Sequence, residues 1–170
     1  MTQTLESYDI KILRDGTWLH EGEPIRRQEL VKLFARVLRR DDAGDFWLVT
    51  PAERGRIMVE DAPFIAVEMK AEGQGRDQRL SFRTNVDDWV TAGPEHPITT
   101  IGDTPYVEVR GGLTARLARS VYYQLAELAT ANGAQEGGAH QEGVMGVWSE
   151  GTFFAPVSYT HLAGDSQMTL

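Results

Sequence analysis

Arg110-Gly111-Gly112-Leu113-Thr114 is the stretch best suited to recognise an anion. A guanidinium grips a phosphate or carboxylate through two parallel N–H bonds. A glycine turn opening a helix aims free backbone N–H groups at the same place. The stretch lacks both GxxxxGK[ST] and the paired-glycine spacing of a dinucleotide fingerprint, so it defines a local anion site at most. The plainer role for Arg110 is a salt bridge where two halves of the chain meet. Tyr106, Tyr123 and Trp148 fall in the same part of the chain and could wall that site, stacking a base or another flat ligand. Arg119 adds a further cation there.

Glu60 and Asp61 invite a catalytic reading, one of them acting as base with His20 nearby in a hydrolase or transferase. Neighbours in an extended segment point to opposite faces of a sheet, so the two carboxylates are not expected to share a proton. Asp61, before Ala62-Pro63, suits a turn instead. His20 is expected in a strand beside Trp18, as a structural histidine. Ser149 sits in Gly-Val-Trp-Ser-Glu-Gly rather than in a GxSxG elbow, and reads as a hairpin serine that satisfies backbone groups. Thr50-Pro51-Ala52-Glu53 reads as a capped short helix in which Glu53 answers Thr50. His20, His96 and His140 fall in different elements with no HxH or HExxH spacing, so no zinc site is expected. Without cysteine there is no thiol nucleophile, disulfide or Cys-ligated metal. Enzymes normally gather a nucleophile, base or metal set. None is visible, so binding is expected over catalysis, with no cofactor.

Bulk properties narrow the partners. The 170 residues carry a net charge of −8, with no lysine- or arginine-rich run to track a phosphate backbone. A nucleic-acid polymer and an anionic membrane surface are therefore disfavoured, while one local basic cluster can still hold a small nucleotide-like ligand. A protein partner stays open. No basic start followed by an apolar run marks a signal peptide, and nowhere do about 18 apolar residues run together. A cytoplasmic location is the expectation.

The elements that must carry these residues are legible in part. Tyr8, Ile10 and Ile12 alternate before Asp15-Gly16, a strand–turn–strand signal closed by Pro24. A helix is predicted from Gln28 to Arg40 on the stripe Leu30, Leu33, Phe34, Val37 and Leu38. Strands are predicted at Phe46–Val49, Ile57–Val59, Phe64–Met69 and Leu80–Thr84. Asn85–Ile98 reads as a linking segment broken by Gly93-Pro94 and Pro97. A strand at Pro105–Val109 and a turn at Gly111-Gly112 precede a second predicted helix, Leu113–Ala131, striped by Leu113, Leu117, Val121, Leu125 and Leu128 and stopped at Asn132-Gly133. The glycine-rich stretch Gly133–Gly146 reads as a flexible loop, and Val144–Ser149 with Thr152–Phe154 as a last hairpin.

Two units thus read alike: a strand ending in Ile25-Arg26 or Val109-Arg110, an amphipathic helix, and a strand bearing Trp47 or Trp148. A shift of 84 positions superposes the first two features. The fold class expected is α+β, built of two strand–helix–strand halves as a duplication. The halves would be residues 1–84 and 85–156, packed on each other. Residues 157–170, from Val-Ser-Tyr-Thr-His-Leu onward, match the translation of a sequencing-transposon end and are expected to be a non-native tail.

The motifs DGxWxHxGxPIxRxxLVxLF, WLVTPxE, VEDAPF, FxTNxDD, PYVEVRxGLxARLxRxVYYxL and GVWSxGxFF occur in that order between Tyr8 and Phe154. In them the chain resembles the proteobacterial family of domain of unknown function 1285. That resemblance implies a duplicated α+β fold whose second half is loosely pleckstrin-homology-like. It also implies a small-ligand site between the halves, nucleotide-like in chemistry, and a role in signalling without established enzyme activity. The matched polar positions are His20, Thr50, Glu53, Glu60, Asp61, Asn85, Arg110 and Arg119, none with a role to transfer. The expected ligand set is Arg110, Arg119, Glu60, Asp61, Asn85, Tyr106, Tyr123 and Trp148. The alternatives are a hydrolase or transferase using Glu60 or Asp61, and a protein-interaction adaptor.

Overall fold

The computed structural model describes residues 3–5, 7–129 and 144–158. The predicted loop at Gly133–Gly146 and the suspected tail, with His140 and His161, lie outside those residues except at their edges. The chain is mixed α+β and mostly sheet.

Residues up to Val59 make one sheet. It contains β1 (Gln3–Leu5), β2 (Ile10–Ile12), β3 (Trp18–His20), β4 (Glu23–Pro24), β5 (Leu38–Arg40), β6 (Phe46–Val49) and β7 (Glu53–Val59), with helix α1 (Gln28–Arg36) between β4 and β5. The order is β4-β3-β2-β7-β6-β5, and β1 also pairs with β7. Two antiparallel meanders are thus joined through the parallel pair β2 and β7, with Lys11 opposite Met58 and Ile12 opposite Val59.

The second sheet repeats that plan. Its strands are β8 (Phe64–Glu72), β9 (Arg79–Thr84), β10 (Trp89–Thr91), β11 (Ile98–Ile101), β12 (Thr104–Arg110) and β13 (Leu113–Leu117), in the order β10-β9-β8-β13-β12-β11. Again the first strand of one meander pairs in parallel with the last strand of the next, Phe64 opposite Ala115. Helix α2 (Arg119–Leu128) follows, then the hairpin β14 (Val144–Ser149) and β15 (Thr152–Ser158).

The halves are therefore alike, but not in the predicted alignment. A shift of 84 superposes α1 on residues ahead of α2, whereas α1 lies between meanders and α2 after both. The strand orders match β2 to β8 and β7 to β13 instead. The sheets divide between Val59 and Phe64, so β8 and β9, assigned from sequence to the first half, belong to the second.

Four local expectations change. Helix α1 stops at Arg36 because Leu38, Arg39 and Arg40 take ladder partners on Leu48, Trp47 and Phe46. Trp89–Thr91, in the predicted linker, pairs with β9. Thr50 closes a strand-to-strand turn rather than a short helix: its hydroxyl donates to the Glu53 carbonyl at 3.0 Å and accepts the Glu53 N–H at 3.1 Å. Leu113–Leu117 is a strand with Leu113, Ala115 and Leu117 buried. Gly111 and Gly112 have φ of +52° and +83°, the two positive values of a tight hairpin turn into a strand.

One apolar core runs through both halves. Ile12, Trp18 and Leu38 from the first sheet join Phe64, Phe82, Val107, Leu113 and Leu125 from the second region in a single cluster of buried side chains. Trp18 stacks on Phe34 with centroids 6.3 Å apart. Ser149 is wholly buried, taking the Leu80 N–H at 2.9 Å and donating to the Ala92 carbonyl at 2.8 Å. It does what the sequence suggested, and it locks the last hairpin to the second sheet.

Candidate functional site

The polar contacts that stitch the halves together include three groups, and one of them lines a cleft. The first centres on Arg110, at the end of β12. Its guanidinium donates to the Ala35 carbonyl at 2.6 Å and to the Leu38 carbonyl at 3.2 Å. The Ala35 carbonyl lies in the last turn of α1, where the helix dipole leaves negative charge and a cation is stabilised, and the Leu38 carbonyl opens β5. Burial first, then neighbouring Arg39, pulls the Arg110 pKa below its ordinary value. Arg40 answers from β5, donating to the Gly112 carbonyl at 3.1 Å. The Gly111-Gly112 turn therefore docks on the first half and opens no helix. The anion site imagined from a glycine turn plus a helix start is not formed; Arg110 is a helix cap.

Arg110 nonetheless keeps unused N–H donors and borders a cleft of about 230 Å³ with Lys32, Ala35, Arg36, Val86 and Asp88. Lys32 reaches across the seam to Asp87 at 2.6 Å, and Arg83 holds the same carboxylate at 2.9 Å. Hydrogen bonds from Lys32 first, then Arg83, hold the Asp87 pKa below the carboxylate range. Among the described residues the exposed Arg36 guanidinium makes no ion pair.

The second contact is made by Asn85. Its side-chain oxygen accepts the Ile65 N–H at 3.0 Å, and its carbonyl accepts from the Gln28 amide at 3.0 Å. Gly16 lies so close that a Cβ there would come within 2.9 Å of the Asn85 amide nitrogen. The residue is a backbone clasp.

The third contact is a half-buried network on Asp61. Tyr106 donates its hydroxyl to Asp61 at 2.7 Å, and Arg116 and Arg14 approach the other oxygen at 3.2 and 3.5 Å. Arg116 also donates to the Arg14 carbonyl at 2.8 Å. Burial first, then the Asp61 hydrogen bond, raises the Tyr106 pKa. Glu60, the neighbouring acid, accepts the Arg14 N–H at 2.8 Å and pairs with Lys11 at 3.5 Å. Both carboxylates thus help to hold the β2–β3 turn.

The expected ligand set is thus dispersed. Asp61 and Tyr106 meet; Glu60 joins them only through Arg14. Glu60 is absent from the cleft that Arg110 borders. Arg119 is exposed at the start of α2. Tyr123 is exposed and tilts against Tyr122. Trp148 sits in the last hairpin, edge-on to Phe153 with Arg76 over its ring. Among the described residues that line the cleft at Arg110, none is aromatic. The residues that do gather there, Lys32 and Arg36, sit four apart on the polar face of α1, a spacing that places both on one side of a helix. That spacing is visible in the sequence itself.

A second hollow, of about 280 Å³, lies on the other side of α1, between Phe34 and the first sheet. Among the described residues no group of three or more His, Asp or Glu could hold a metal ion. No described helix is long and apolar enough to cross a membrane.

Two family models cover nearly the whole chain. The domain of unknown function (DUF1285), N-terminal domain, matches residues 2–62, and the protein of unknown function (DUF1285), C-terminal domain, matches residues 63–155. Their junction falls between the two sheets. The crystal structure of a DUF1285 family protein from Silicibacter pomeroyi DSS-3 is similar at 38% identity and a TM-score of 0.82, over 96% of this chain and 87% of that one. A DUF1285 family protein from Shewanella baltica OS155 is similar at 25% identity and a TM-score of 0.57, over 70% of this chain and 91% of that one. No curated protein matches the chain.

Proposed function

We propose that this chain, which belongs to the family of domain of unknown function 1285, is a binding module that holds a small anion between its two halves and acts in signalling. One observation carries the reading: Lys32 and Arg36 from α1 converge with Arg110 from β12 on a single cleft, in a protein whose net charge is −8. Cations are concentrated there against the charge of the whole. Asp88 on the rim and the Asp87 partner of Lys32 leave room for about one negative group, a phosphate or carboxylate. With Tyr106, Tyr123 and Trp148 elsewhere, the proposal rests on the anionic head and not on a stacked base.

The cleft suggests how occupancy would be passed on. An anion drawing on the Arg110 guanidinium competes with the Ala35 and Leu38 carbonyls and loosens the bond between α1 and β12. The second half, a six-strand sheet followed by a helix, is then the loosely pleckstrin-homology-like partner that feels the change. Calorimetric titration of the full chain with adenosine monophosphate, inorganic phosphate and citrate tests the reading. At least one should bind saturably, and Arg36→Ala, an exposed change that leaves the helix cap intact, should weaken it about tenfold. Absence of saturable binding by all three, or an unchanged affinity in Arg36→Ala, would sink it.

An adaptor role has weaker support. Trp89, Ile101, Tyr123 and Phe153 are exposed in the second half, but scattered apolar side chains are ordinary on a protein surface.

A further inference from the structure

The hollow beside Phe34 has a different chemistry from the cleft on the far side of α1. Its floor is apolar: Ile10 from β2, Leu48 from β6 and Phe34 from α1. At its rim stand Tyr8, His20 and Glu53, with no lysine or arginine among the lining residues. Glu53 therefore sets the sign of the opening. We infer that this hollow is a binding site for a small primary amine with an apolar body, the ammonium on Glu53 and the body against Phe34 and Leu48.

The rim is held in place by its own backbone. Glu53 exchanges bonds with Thr50, whose N–H donates to the Glu53 carbonyl at 2.8 Å while the Glu53 N–H reaches the Thr50 hydroxyl at 3.1 Å. The start of β7, which carries Glu53, is fixed. Tyr8 is fixed from the other side. Its N–H donates to the Arg56 carbonyl at 3.1 Å, and its ring presses on Gly55 so closely that a Cβ there would lie 2.5 Å from the ring. Burial first, and a hydrogen bond to the Glu53 side chain second, raises the Tyr8 phenol's pKa, and the two residues are neighbours at the rim. A carboxylate carried on a fixed strand start loses less freedom when a cation arrives than one on a loose loop. The volume of about 280 Å³ is near the small end for ligand sites and suits a single ring or short chain. The site is independent of the anion cleft, because Lys32 and Arg36 face away from it on α1.

Nuclear magnetic resonance titration of the full chain with benzylamine and with benzyl alcohol tests the inference. Benzylamine should shift the signals of Phe34 and Leu48 and saturate in the millimolar range or below. Glu53→Gln should weaken benzylamine about tenfold or more while leaving the feebler alcohol binding unchanged. Tyr8→Phe keeps the ring on Gly55 and removes the hydroxyl beside Glu53, so a smaller loss of the same sign is expected; it stands in if Glu53→Gln does not fold. Three results overturn the inference: no saturable benzylamine binding, alcohol binding as tight as amine binding, or a Glu53→Gln chain that binds the amine like the parent.

Discussion

Asp61 gathers three partners at the seam, with Tyr106, Arg116 and Arg14 all directed at one carboxylate. Its side chain is 17% exposed and that of Arg116 18%, so removing the negative charge strands a half-buried cation with little water to replace it. We expect Asp61→Asn to lower the free energy of unfolding in urea by about 2–3 kcal/mol. Glu60→Gln, at an exposed position, should cost no more than about 0.5–1 kcal/mol. Equal losses would show that the network is not what distinguishes the two acids. The same network sets an alkaline limit. Tyr106 has a folded-state pKa above its ordinary 10.0. Above that pH the folded chain therefore holds a proton that the unfolded chain releases. The stabilisation is complete below about pH 10 and is lost as pH rises through the folded pKa. Urea midpoints followed through the alkaline range should fall with pH, and less steeply in Tyr106→Phe; parallel slopes would refute the assignment.

At the scale of elements, the decisive segment is Gly111–Leu117. Leu113, Leu117, Val121 and Leu125 recur at helical spacing, while Leu113, Ala115 and Leu117 also alternate. Periodicity cannot choose between those readings in so short a run. Tertiary context chooses the strand: β13 has β12 on one side and β8 on the other, and a helix could pair with neither. The glycines settle the same question experimentally. Gly111→Ala and Gly112→Ala should each destabilise by about 1–2 kcal/mol, because φ is positive at both. Ahead of a helix the same changes would be neutral or stabilising, so thermal melts of the two variants separate the alternatives. Elsewhere the sequence was clear where one face is buried and a turn residue marks the end. The β2–β3 hairpin at Asp15-Gly16 and the last hairpin with Ser149 lie where they were expected. It was opaque where long-range pairing decides the outcome, as at Leu38–Arg40 and Trp89–Thr91, whose partners are supplied by other strands. The site suffered for the same reason. Arg110 stayed open between an anion clamp and a contact at the seam because nothing local reveals that Ala35 of α1 and Leu38 of β5, some 70 residues earlier, take two of its donors.

Across the whole molecule, two sheets of the same strand order share one core rather than owning two. Trp18 and Leu38 of the first half are buried in the same cluster as Val107 and Leu125 of the second. Separating the halves would return that apolar surface to water, a loss that scales with the area exposed, and would also break the Arg110, Asn85 and Asp61 contacts. Two structural repeats therefore need not be two folding units. Urea unfolding followed by tryptophan fluorescence and by far-ultraviolet circular dichroism should give coincident single transitions. Arg110→Ala should move both midpoints down together, by about 1–3 kcal/mol for the loss of two bonds to half-buried carbonyls. If the two probes separated in Arg110→Ala while remaining coincident in the parent chain, Arg110 would be a coupling device between otherwise autonomous halves. If they separated in the parent as well, the shared core would not be cooperative. Coincidence in both places the coupling in the apolar core and leaves Arg110 as the polar trim on its edge, where the anion proposed for the cleft would compete for it without unfolding either half.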